Sequence, residues 1–169
     1  MGPVCTIIVG RLDDWLKAQA ELENITIDHG YLEWGGVAVF EKTYKIFRQR
    51  GYRIRLFSAA FRNHMRWSEF IGGDVVIPPP YKWQVRFNAS DVEVVSRIDS
   101  AVNPEILDML LRKFPDFRRA YREGSVSLDE FDTFAPTMRP FVNSSRLVMI
   151  SRRSSVIGCF QAQIRNKFG

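Results

Sequence analysis

Two arginines stand where apolar runs give out. Arg11 follows Val4 to Val9, a continuous apolar stretch with β-branched residues, and Gly10. Arg62 follows Tyr52 to Ala60, whose centre is apolar, and Phe61. A guanidinium at the end of a strand can fork onto two phosphate oxygens, so both are candidates for binding a dianion. On residue type alone, either would more often be a salt-bridged surface residue. His29 and His64 form no ligand pair, since no third histidine or spaced cysteine accompanies them, and no metal site is expected. Lys17, Lys42 and Lys45 fall in helical patterns with charged neighbours and read as solvated. Trp15, Trp34, Trp67 and Trp83 are either a stacking platform or, in preference, core and rim packing.

The elements that must position these residues alternate. Val4 to Val9 reads as a strand buried on both faces. Leu12 to Ala20 reads as a short amphipathic helix with Asp13 and Asp14 in its first turn. Glu21 to Gly36 is a connection. Val37 to Gln49 is a helix with Val37, Phe40, Tyr44 and Phe47 on one face, stopped by Gly51. Tyr52 to Ala60 is a second strand, Phe61 to Phe70 a further helix, and Val75 to Ile77 a third strand cut by Pro78, Pro79 and Pro80. Asn103-Pro104 caps another helix. Ser127 to Glu130 forms a capping box ahead of Phe131 and Phe134. This order argues for a parallel α/β architecture. Three strands are few, however: a closed (β/α)8 barrel takes roughly 250 residues.

Composition bounds the rest. Of the 169 residues, 46% are hydrophobic and 25% charged, the profile of a globular chain able to bury a core. No stretch has the length and apolarity of a membrane span, and the first residues lack the form of a secretory signal. Cys5 and Cys159 make no disulfide framework, so a reducing, cytoplasmic setting is expected. The net charge of +5 is concentrated: Thr133 to Gly169 holds six basic residues and no acid. The remainder is nearly neutral, which argues against a nucleic-acid-binding domain. Arg112, Lys113, Arg118, Arg119 and Arg122, interleaved with Asp116 and Glu123, read as a solvated helix face.

Three segments together carry a resemblance. Thr6-Ile7-Ile8-Val9-Gly10-Arg11-Leu12, continuing to Asp14-Trp15, resembles the sixth-strand motif of the transaldolase family. Ala59-Ala60-Phe61-Arg62-Asn63, after Arg50-Gly51-Tyr52, resembles its seventh-strand motif. Gly72 to Ile77 followed by Pro79 is similar to its eighth strand and exit. The resemblance implies a partial (β/α)8 TIM barrel over residues 1–138, the C-terminal βα units with trailing helices, and a divergent basic tail over 139–169. It implies Arg11 and Arg62 as phosphate ligands, and Thr6 and Asn63 at the substrate pocket. Thr6 is equally readable as a plain strand residue, and Asn63 as serving the loop backbone ahead of a substrate. Ala60 stands where the family often has a phosphate-binding serine, so that hydroxyl is missing.

The family reaction transfers a dihydroxyacetone unit between sugar phosphates of the pentose phosphate pathway, without metal or organic cofactor. It proceeds through a Schiff base on a fourth-strand lysine. No segment here resembles that strand, and nothing in the sequence lowers the pKa of Lys82 after the third strand. The chain alone is therefore expected to be inactive. It is either a catalytic remnant or a non-catalytic sugar-phosphate binder, self-associating or joined by an N-terminal half from elsewhere. The exposed edge of Val4 to Val9 favours association.

Overall fold

The computed structural model describes residues 3–131 and 133–136. The chain forms β1 (Val4–Ile7), α1 (Val9–Leu22), α2 (His29–Leu32), α3 (Gly35–Gln49), β2 (Arg55–Ser58), α4 (Met65–Ser68), β3 (Val75–Val76), α5 (Tyr81–Asn88), α6 (Pro104–Lys113) and α7 (Pro115–Tyr121). The strands make one parallel sheet in sequence order, β1-β2-β3. Thr6 pairs with Phe57, Ile7 with Ser58, and Leu56 with Val75. The expected parallel α/β arrangement is therefore present, with these three strands.

Alternation along the strands decides which face is covered. Cys5, Ile7, Leu56 and Ser58 are buried. The first three pack against Val37, Phe40, Tyr44 and Phe47 of α3. Phe40 in turn stacks on Phe70 with ring centroids 4.0 Å apart. Burial of each such side chain contributes about 1.5–3 kcal/mol. The expectation that the first strand is buried on both faces is not met, because Val4 and Thr6 on the opposite face are exposed. A second cluster joins Trp15, Leu16 and Ala20 of α1 to Leu32, Leu110, Phe114 and Phe117.

The boundaries differ from those read in the sequence for local reasons. β1 stops at Ile7 and α1 begins at Val9, so Asp13 and Asp14 lie beyond the first turn, which holds no acid. Gly10 permits the early start: a Cβ there would run into the carbonyl oxygen of Ala60. Asn24, at φ +51°, ends the helix. The connection from Glu21 holds α2, whose Asp28 side chain accepts from the Gly30 amide at 2.8 Å. α4 is only one turn of the longer helix expected.

At α6 the expected cap is present: Asn103 accepts from the Glu105 amide at 2.9 Å, with Pro104 in the first turn. Half of the capping box forms: the Ser127 amide donates to the Glu130 carboxylate at 2.9 Å, while the Glu130 amide bonds the Ser127 carbonyl in place of its hydroxyl. The first of these bonds, with Arg119, holds the Glu130 carboxyl down at about 2. The residues directly after it do not form a helix. Phe131 and Thr133 bond back three residues, to Leu128 and Glu130, which gives successive turns. The expected boundary between residues 138 and 139, the basic tail and Cys159 lie outside the described residues.

Candidate functional site

The segments after β1 and β2 meet edge to edge. The Ala59 amide donates to the Ile7 carbonyl at 2.9 Å, and the Gly10 amide donates to the Ala59 carbonyl at 3.5 Å. Ala60 takes a left-handed conformation at φ +64°. That costs an L-residue about 1–2 kcal/mol, and such strain is characteristic of binding loops. The bend directs the chain into Phe61, Arg62 and Asn63.

Arg62 reaches across to α1. Its Nε donates to both carboxylate oxygens of Asp14 at 3.0 Å, and Nη2 donates to Asp14 Oδ2 at 2.7 Å. Nη1 donates to the Phe61 carbonyl at 3.3 Å. The bonds to Asp14 hold the Arg62 guanidinium above its usual pKa range, with burial opposing. Arg11 lies three residues before Asp14 on α1, so the two share a face of the helix. Arg11 is exposed and has no carboxylate partner among the described residues. The fold thus holds Arg62 against the helix that carries Arg11, at one end of the sheet.

Asn63 is held rather than open. Its Oδ1 accepts from the Met65 amide at 3.1 Å and its Nδ2 donates to Glu33 at 3.2 Å. Glu33 also takes Lys17 at 2.8 Å, so Lys17 is half-buried and paired instead of solvated. Thr6 is exposed on the sheet and makes no hydrogen bond to this group. Ser58 contributes a fully buried hydroxyl with no partner among the described residues.

Beneath the group lies a feature that the sequence reading missed. Asp13 and Arg66 form a buried ion pair, and the other Asp13 oxygen accepts from the Gly36 amide at 2.8 Å. The signal was available. Asp13 falls on the α1 stripe with Val9, Leu16 and Ala20, and Arg66 stands four residues before Phe70. A charge on an apolar stripe asks for a buried partner.

The tryptophans divide. Trp15 lies in the core cluster of α1, and Trp34 packs against the other cluster, beneath the sheet. Trp67 stacks on Phe87 at 4.4 Å, beside Trp83 and Phe61, and so docks α5 next to Arg62. Among the lysines, Lys42 is not simply solvated. It lies 3.9 Å from the Tyr121 ring centroid, and burial lowers its pKa against the pull of Glu123. Lys82 is exposed on α5. Among the described residues, no group of three His, Cys, Asp or Glu could hold a metal, and no helix is long and apolar enough to cross a membrane.

Comparison with known proteins points one way. Over 91 residues the chain is 30% identical to a transaldolase of Prochlorococcus marinus subsp. pastoris, covering 54% of this chain and 26% of that protein. Over 126 residues it is 29% identical to a transaldolase of Gloeobacter violaceus, covering 72% of this chain and 31% of that protein. The chain is transaldolase-like. It spans less than a third of the length of these relatives. No protein-family model matches it, and no solved structure does.

Proposed function

We propose that this transaldolase-like chain supplies the phosphate-binding end of a sugar-phosphate site, with Arg11 and Arg62 as the ligands. The observation that carries the reading is that Arg62 is held on Asp14, one turn from Arg11 on α1, where the segments after two adjacent parallel strands meet. Late-strand ends are where barrels commonly seat phosphate. On this reading β1 to β3 correspond to strands six to eight of a (β/α)8 barrel, residues 1–138 form that part, and 139–169 are a separate tail. Thr6 and Asn63 flank the pocket, with Asn63 acting through the loop backbone.

The reaction of the intact site is dihydroxyacetone transfer between sugar phosphates, with no metal or organic cofactor. Its Schiff-base lysine comes from a segment other than those described. The local lysines fit that view: Lys17 is held by Glu33, Lys42 lies over Tyr121, and Lys113 donates to the Thr26 carbonyl at 2.6 Å. The chain alone is expected to bind fructose 6-phosphate without turning it over.

The test is titration of fructose 6-phosphate into the full chain, its Arg11→Ala variant and its Arg62→Ala variant. A coupled assay with erythrose 4-phosphate and borohydride trapping accompany it. Saturable binding lost in both variants supports the site; binding indifferent to both removes it. Turnover abolished by Lys82→Ala would overturn the expectation of inactivity. A second reading, a partner-dependent or self-associating binder in a cytoplasmic setting, is favoured by the exposed Val4 and Thr6 on β1.

A further inference from the structure

An arginine that binds phosphate through a fork must first be held so that the fork points outward. Arg62 has five N–H groups in one plane. Asp14 takes the edge formed by Nε and one Nη2 hydrogen, with contacts of 2.7 and 3.0 Å. The Phe61 carbonyl takes one Nη1 hydrogen at 3.3 Å. Two N–H groups remain, one on each Nη, and that of Nη2 lies on the terminal edge. Neither remaining group has an acceptor among the described residues, and a guanidinium with one free N–H on each Nη can take two oxygens of a phosphate monoester.

We infer that Asp14 is a positioning residue: it clamps Arg62 from the side and presents the free Nη hydrogens of the guanidinium to the phosphate of a sugar phosphate. The inference rests on the phosphate-site reading above. Arg11, one turn earlier on the same helix face, supplies the second cation. The opposite role is also chemically coherent. A carboxylate on Arg62 could compete with the incoming dianion, and its removal would then tighten binding. The geometry favours the clamp, because Asp14 and Phe61 leave one N–H on each Nη uncommitted. Ordering a long side chain in advance also spares its entropy at binding.

The two roles separate by sign. The full chain and its Asp14→Ala, Asp14→Asn and Arg62→Ala variants would be titrated with fructose 6-phosphate and with inorganic phosphate at fixed salt. Circular dichroism would confirm folding, and NMR would follow the Arg62 Nε–H resonance. The clamp predicts that Asp14→Ala weakens binding about fivefold, the worth of one long side chain ordered in advance. Its Nε–H signal should be lost to exchange. Asp14→Asn keeps one acceptor and should restore most of the affinity and the signal. Equal or tighter binding in Asp14→Ala overturns the inference. Binding that needs Arg62 and ignores Asp14 overturns the clamp alone. Absence of Arg62-dependent binding in the unaltered chain overturns both the clamp and the phosphate site.

Discussion

Asp13 and Arg66 form an ion pair closed to solvent, with side chains 1% and 0% exposed. Burial draws the Arg66 guanidinium down to about 9. Asp13 also caps α3, whose own N-cap residue Trp34 offers no side-chain acceptor. One carboxylate therefore ties α1, α3 and α4 together beneath the segment that carries Arg62. Breaking such a pair leaves a buried charge uncompensated, at about 3–5 kcal/mol. Asp13→Ala and Arg66→Ala are each expected to lose that much in urea denaturation. The double replacement Asp13→Leu with Arg66→Met should be more stable than either single change. Additive losses in the double would remove the pairing argument.

The contact between Gly10 and Ala60 gives a second expectation. Gly10→Ala would press a methyl group onto a backbone carbonyl that cannot move aside, costing about 1–3 kcal/mol. Ala60→Gly relieves a left-handed alanine, offset by a more flexible unfolded chain, so its melting temperature should match or exceed that of the parent. A melting temperature lowered by Ala60→Gly would contradict the strain.

Glu41 gives a pH dependence. Burial raises its carboxyl to about 8, with Lys45 opposing and Glu69 adding to the rise. The folded chain therefore keeps a proton that the unfolded chain gives up near the ordinary 4.5. The contribution is whole below that value and is lost as pH rises through about 8, an effect of a few kcal/mol at most. Glu41→Gln should match the parent near pH 5 and surpass it at pH 9 in denaturant midpoint. Parallel pH profiles for the two would assign the dependence elsewhere.

The uncovered face of β1 predicts association. Val4 is 38% exposed and Thr6 lies beside it, on a strand whose outer edge meets no other strand among the described residues. Sedimentation velocity should show concentration-dependent self-association that Val4→Lys reduces. A monodisperse monomer across concentrations would set this aside.

The sequence made the alternation of strands and helices legible because the helical stripe of α3 and the breakers Gly51 and Pro78 to Pro80 are local signals. Arg11 and Arg62 could be singled out because each follows an apolar run. What could not be read depends on distance along the chain. Asp13 looked like a first-turn acid until Gly10, fitted against Ala60, let α1 begin at Val9. Asp14 looked the same, and only the fold sets it against Arg62, 48 positions away. The Ser127–Glu130 pair was visible as a cap, but the turns that follow it depend on Val126, Phe131 and Phe134 packing together.

The strand order has one more consequence. A sheet that runs β1-β2-β3 without turning back on itself has no internal crevice of the kind that doubly wound sheets use for ligands. All of its strands finish along one rim, and each contributes a loop there independently. The helix layer against α3 can then stay fixed while that rim is rewritten loop by loop. Here Ala60 occupies a rim position without a side-chain hydroxyl, and the packing of Leu56 and Phe40 beneath does not depend on what stands there. Selection on stability and selection on ligand chemistry can thus act on different residues of the same strands.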